Sequence, residues 1–242
     1  MTKKYFMIWD IDGALYNYHR LPNGGFDKLC DEVNAQAACE LLPHLSHVEG
    51  LRLSAECFER FHDCYGAFMP LAVQSGFNDE QFRLRLFKRY HALLFDTLTT
   101  RHPDFFHDDA PTTAAFHKSG RDIKHGTLSH SCMEGWGMRI LDRLGILPFF
   151  EPQALLGLDQ YGFTRKFEST APVKLVLKRL KADPAQTFFI EDSIRNLEPA
   201  AEIKGLRLIY IHNNKPLDNL PPFVSHQFSS PAEFMHFIQE RV

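Results

Sequence analysis

Two acidic groups in this sequence have the type and spacing to do chemistry: Asp10 and Asp12, two residues apart, and the adjacent pair Glu191–Asp192. Each follows a short apolar run, Tyr5–Trp9 in the first case and Thr187–Ile190 in the second. Carboxylates brought to one place repel one another and lose hydration, so a cluster of them needs a cation. An oxygen-only donor set, without the His and Cys ligands of zinc, suits a hard ion, and magnesium beside a phosphate is the commonest pairing. Asp10, Asp12, Glu191 and Asp192 are therefore the expected metal set. With that ion and nearby donors offsetting its charge, Asp10 can attack phosphorus as a nucleophile. Asp12 can protonate the leaving oxygen and later take a proton from the water that hydrolyses the acyl-phosphate.

These residues must be positioned by strands. Tyr5–Trp9 and Thr187–Ile190 read as buried strands, with the acids at their carboxyl ends. Ile123–Leu128 is a weaker strand, followed by Ser129. From Asp122 onward apolar runs and helical segments alternate: a helix over 133–144 closed by Gly145, a strand over 154–158, a helix over 172–180, a helix to about Ile203 and a strand over 206–211. That alternation predicts a parallel sheet with right-handed crossovers, whose ligands bind outside the carboxyl ends of the strands.

Between these parts, residues 26–100 change to helical spacing. Phe82, Leu86, Phe87, Tyr90, Leu93 and Leu94 share one helical face behind an Asn78–Asp79 N-cap. Less regular segments over 26–42 and 55–73, with breaks at 22–25 and Gly50, complete a helical insertion. The segment 101–113 reads as the hinge that returns the chain to the core. The expected fold class is α/β, a doubly wound parallel sheet formed by 1–16 and 110–242, with a helical cap over 17–109.

The formal net charge of -3 and pI near 6.5 provide no basic field for polynucleotide binding. Five cysteines without a CxxC pair indicate reduced thiols rather than disulfides or a zinc site. The apolar run after Lys3 and Lys4 is interrupted by Asp10, too early for a secretory or membrane-spanning segment, so no membrane association and a cytoplasmic location are expected. Histidines and acids in the hinge (His102, Asp104, His107, Asp108, Asp109) match no zinc spacing and read as a solvated loop.

Asp10-Ile-Asp12-Gly13-Ala14-Leu15-Tyr16 resembles the first motif of the haloacid dehalogenase (HAD) superfamily in its phosphatase branch, and the order of the later motifs agrees. Ser129, within 127–131, resembles the second motif, whose hydroxyl holds a phosphoryl oxygen; Thr127 and Ser131 compete for that place. Lys166, at the end of 162–166, resembles the third, a cation steadying nucleophile and phosphate, with Lys174 as its competitor. Phe189-Ile-Glu191-Asp192-Ser193 with Asn196 resembles the fourth. There Asp192 binds magnesium and Glu191 assists through the metal's shell, or else caps the following helix. The helical insertion takes the place of the family's cap and is most similar to the pyrimidine 5'-nucleotidase-like subgroup. Where the first motif commonly has Thr, this chain has Ala14.

The resemblance implies a magnesium-dependent phosphatase acting on a small soluble phosphate ester, such as a nucleoside 5'-monophosphate, through an aspartyl-phosphate on Asp10. Asp12 argues against a dehalogenase, because attack on carbon needs no acid there. A phosphomutase, a sugar-phosphate or phosphoglycolate phosphatase, and a non-catalytic phosphate- or partner-binding protein are the rival readings.

Overall fold

Parallel pairing places the strands as the apolar runs require. The structure, a computed structural model, describes residues 5–119 and 123–240. Two compact units divide the chain: 1–18 with 106–133 and 140–242, and 19–105 with 134–139.

The first unit is built on one six-stranded sheet of β1 (Tyr5–Trp9), β2 (Ile123–Leu128), β3 (Phe150–Leu156), β4 (Thr187–Glu191), β5 (Arg207–Ile211) and β6 (Val224–Phe228). All pairs are parallel, in the order β3-β2-β1-β4-β5-β6. The order reverses between β1 and β4, which is the switch point where doubly wound folds place their ligands. This is the α/β class expected from the alternation of runs.

Side chains of β1 alternate between faces, as a pleated strand requires. Phe6 and Ile8 join Leu156, Val176 and Leu197 in a cluster under the helices Ala171–Leu180 and Ile194–Ala200. On the opposite face Trp9 packs against Phe116 (ring centroids 5.4 Å) and Phe234 (5.7 Å), from helices Ala110–Lys118 and Pro231–Gln239. The last strand and helix follow 206–211 with weak periodicity and were not expected. The helix at 110–118 also occupies part of the segment read as hinge, since Pro111 at its first turn starts it rather than breaks it.

That second face holds a buried histidine with one nitrogen unused. Trp9 Nε1 donates to His125 Nδ1 at 3.0 Å, so the neutral ring carries its proton on Nε2, which has no partner among the described residues. Burial pushes the His125 pKa down to about 3 from the usual 6.5. Because the folded value is the lower one, the neutral ring's contribution to stability is complete above pH 6.5. It is lost as pH falls toward 3, at up to about 1.4 kcal/mol per pH unit. Thermal melts between pH 7 and 5 are expected to show a steeper fall of Tm for the wild type than for His125→Phe. Parallel curves would contradict this.

The second unit is helical. In chain order among the described residues the α-helices are α1 (Gly25–Leu41), α2 (His47–Glu56), α3 (Met69–Gln74), α4 (Asp79–Arg101), α5 (Ala110–Lys118), α6 (Met138–Arg143), α7 (Ala171–Leu180), α8 (Ile194–Ala200) and α9 (Pro231–Gln239). Helix α4 starts where its cap predicts, with Asn78 Oδ1 accepting from Gln81 N at 2.8 Å. Phe82, Leu86, Phe87 and Leu94 are buried on it.

The expected helix over 55–73 is a correction. It breaks instead at His62, in the left-handed region (φ 54°), after which Asp63 Oδ1 caps the Tyr65 and Gly66 amides at 2.9 and 2.7 Å. Gly50 is no break but lies inside α2. A Cβ there would stand 3.3 Å from both Ala35 Cβ and Cys39 Sγ of α1, so the glycine lets the two helices approach. None of the five cysteines is joined in a disulfide. Among the described residues no helix is long and apolar enough to cross a membrane.

Candidate active site

Register brings the separate motifs level. Trp9 pairs with Thr127 on one side and Ile190 on the other. Asp10, which continues β1, donates its amide to Ile190 O at 2.8 Å. Asp10 and Glu191 therefore sit side by side at the carboxyl edge of neighbouring strands, and Leu128–Ser129 leave β2 at the same edge.

Lys166 is the cation that holds this edge together. Its Nζ donates to Asp10 Oδ1 at 2.7 Å and to Leu128 O at 3.1 Å, and it forms an ion pair with Glu191. It is only 1% exposed. The segment carrying it turns through two left-handed residues, Gly162 (φ 76°) and Phe163 (φ 59°), and is tied back where Lys166 N donates to His130 Nε2 at 2.9 Å. Burial alone would lower the lysine pKa, but the Asp10 and Glu191 carboxylates outweigh it and hold the ammonium above its ordinary value. Lys174, the competing residue, is exposed on α7.

Asp10, Glu191 and Asp192 offer carboxylate oxygens that all lie within 4.8 Å of one another. Burial and then the Glu191 charge raise the Asp10 pKa well above the usual carboxylate range, with Lys166 opposing them. The same pressure acts on Asp192, from burial first and then from Glu191 and Asp10. One lysine faces three acids, so a divalent cation would relieve the remaining repulsion. The donors are all oxygen, as a hard ion prefers, and the residues fit magnesium.

Glu191 makes the helix-capping contacts considered for it while lying in the carboxylate group. Its Oε2 accepts from Ser193 N at 3.0 Å at the start of α8, and its Oε1 from Asn196 Nδ2 at 2.8 Å. Gly13 makes the approach of Asp192 possible. It has φ 86°, and a Cβ there would collide with the Asp192 carboxylate.

Asp12, expected with the metal set, presents its side chain differently from the other three acids. Its carboxylate is absent from the acid cluster and is turned to three hydroxyls. Tyr16 Oη donates to Oδ1 at 2.5 Å, while Ser131 Oγ at 2.6 Å and Ser129 Oγ at 3.3 Å donate to Oδ2. The two serines are brought together by the bend after β2, where Ser131 N donates to Ser129 Oγ at 3.0 Å. Thr127 is turned away, its Oγ1 accepting from Leu156 N of β3 at 3.1 Å. Of the three candidate hydroxyls, those of Ser129 and Ser131 meet Asp12 and that of Thr127 is engaged with β3.

Three residues of the site had no role assigned from sequence. Tyr161 Oη donates to Ser129 O at 2.7 Å, and Asn213 Nδ2 donates to Gly13 O at 2.7 Å from the end of β5. Tyr16 is the third. Its place four residues after Asp12 was a local sign; of the other two, Tyr161 directly precedes the 162–166 motif and Asn213 has no motif around it. The hinge histidines and acids form no three-residue metal group among the described residues.

No protein-family model matches the chain, and no curated protein matches it. Solved structures do resemble it in fold. A HAD phosphatase from Thermococcus onnurineus is 17% identical, with 97% of each chain covered and a TM-score of 0.60. A Bacillus subtilis protein described as a HAD-hydrolase, YfnB, solved bound to magnesium, is 13% identical over 98% of this chain and 99% of its own, with a TM-score of 0.56. CbbY from Rhodobacter sphaeroides, solved in complex with phosphate, is 17% identical over 96% of each chain, with a TM-score of 0.52. At such identities the likeness is one of fold.

Proposed function

We propose that this chain is a magnesium-dependent phosphomonoester hydrolase of the HAD type, working through an aspartyl-phosphate on Asp10. The observation that carries the reading is the division of labour between the two acids of the first motif. Asp10 lies in the carboxylate cluster against Lys166, while the Asp12 carboxylate accepts from two serines and a tyrosine. A metal site alone has no use for that second, differently dressed acid.

Asp10, Glu191 and Asp192 would hold the magnesium ion, whose chemistry is to neutralise phosphoryl charge and orient the ester. The chain's own residues do the rest. Lys166 holds Asp10 Oδ1 and leaves its other carboxylate oxygen to attack phosphorus. The Ser129 and Ser131 hydroxyls donate to phosphoryl oxygens. As the phosphorus–oxygen ester bond breaks, Asp12 gives its proton to the leaving oxygen. It then takes a proton from the water that attacks the phosphorus of aspartyl-phosphate, and inorganic phosphate leaves with Asp10 restored.

The substrate we propose is a small phosphate ester, with a nucleoside 5'-monophosphate the first to try. The likeness of fold to a phosphatase and to a phosphate-bound protein supports the reaction class. Phosphate release from nucleotides, sugar phosphates and phosphoglycolate, with and without magnesium, tests it. Release that requires magnesium is expected, and none from any ester with folded protein would overturn the reading.

A further inference from the structure

We infer that Tyr16 is a positioning residue for Asp12, occupying Oδ1 so that Oδ2 is the oxygen that carries the proton in both half-reactions. The inference rests on the phosphatase reading and deepens it.

A carboxyl that serves as acid and then base must present the same oxygen to the reacting atoms twice, and free rotation about its Cβ–Cγ bond would exchange the two. In this site the oxygens are chemically distinct. Oδ2 lies among the Ser129 and Ser131 hydroxyls, at 3.3 and 2.6 Å, on the side where a phosphoryl group would be held. Oδ1 is taken by Tyr16 Oη at 2.5 Å. The serines are free to turn their hydrogens toward an arriving phosphoryl group, which releases Oδ2; the tyrosine holds Oδ1 throughout.

The tyrosine is built for such a fixed role. It is 1% exposed, and its ring meets Phe106 edge-on at 5.3 Å. Its backbone closes back on the motif: Gly13 N donates to Tyr16 O at 3.1 Å, Leu15 N donates to Ile11 O at 3.1 Å, and Asp12 and Tyr16 pair as an isolated bridge. Hydroxyl and carboxylate are thus held by one tight turn, and little side-chain freedom is lost in making the bond. Ala14 contributes no hydroxyl to this turn, so the donor it supplies to Asp12 is the phenol.

In the first step the Oδ2 proton passes to the ester oxygen as its bond to phosphorus breaks. In the second, Oδ2 accepts a proton from the attacking water. A misaligned Asp12 therefore penalises esters in proportion to how much their leaving oxygen needs that proton. Phenyl phosphate needs it more than p-nitrophenyl phosphate does, because nitrophenolate is a stable anion.

The test measures kcat/KM for both esters, in magnesium, for wild type and Tyr16→Phe. Positioning predicts that the phenyl to p-nitrophenyl ratio falls about tenfold or more in the variant, a part of what general acid catalysis contributes. On an Asp12→Asn background the same change should leave the ratio unaltered. A phenol that merely fills space and satisfies its own hydrogen bond would lower both esters alike. An unchanged ratio in Tyr16→Phe therefore overturns the inference while the phosphatase reading stands, and wild type inert toward both esters overturns the two together. Should Tyr16→Phe not fold, Tyr16→Met, whose unbranched chain adapts to the same cavity, gives the same ratio test.

Discussion

Asp10→Asn is expected to fold, to melt at a higher temperature than wild type without divalent metal, and to lose at least about 10⁴-fold in phosphate release. The loss follows from chemistry, since an amide oxygen is too weak a nucleophile to form the acyl-phosphate. The gain follows from the site's electrostatics. Asp10 is buried beside Glu191, and both effects raise its pKa, so its ionised form costs the folded state at neutral pH. The variant removes that charge while Lys166 keeps its ion pair with Glu191. Functional sites commonly store such instability. Calorimetric melts with and without magnesium measure both sides: the variant should start higher and gain less from the ion. A variant less stable than wild type in metal-free buffer would show that the acid cluster is not under repulsion.

Lys166→Met should act in the opposite sense, losing activity and stability together. The ammonium faces Asp10 at 2.7 Å and also Glu191, a residue with no exposed surface. Removing one partner from a buried ion pair leaves uncompensated charge and typically costs about 3–5 kcal/mol. For a chain of this size that is a drop of roughly 10 °C in Tm. The remaining carboxylates of the cluster can shed charge by taking up protons. Asp10 and Asp192 already have raised pKa values, and without the lysine they rise further. The deficit relative to wild type should therefore narrow as pH falls from 7 toward 5, and magnesium should restore part of it. A substitution without effect on Tm would mean that the lysine is not the counter-charge of this cluster.

Much of this architecture was legible because buried parallel strands are short unbroken apolar runs. Tyr5–Trp9 and Thr187–Ile190 stand out, and the acids that end them mark the edge where a ligand belongs, whereas Ile123–Leu128, interrupted by Lys124, His125 and Gly126, read as a weaker strand. The amphipathic face and side-chain cap of α4 were equally plain. What was hidden depends on tertiary contact. Gly50 looks like a break until α1 is seen packed on it. The last strand, Val224–Phe228, buries only its two ends and exposes Ser225 and His226 in succession, so its edge position weakens its apolar pattern.

Within the site, residue types told which groups carry charge but not which oxygen faces which partner. Asp12 was grouped with the metal ligands because it is an acid two residues from Asp10. What the sequence did not show is that its carboxylate accepts from hydroxyls, since the turn through Gly13 brings Tyr16 back onto Asp12 and the bend after β2 brings Ser131 alongside Ser129. Tyr161 and Asn213 reach the site through fold alone.

The central claim is a covalent phosphoryl group on Asp10, and the most direct measurement is to trap it. Wild type mixed with p-nitrophenyl phosphate and magnesium, quenched in acid and treated with borohydride, should yield a chain in which residue 10 is reduced to homoserine. Peptide mass spectrometry locates that change, and neither Asp10→Asn nor a metal-free sample should show it. Turnover with residue 10 never labelled, or with Asp10→Asn as active as wild type, would contradict the account.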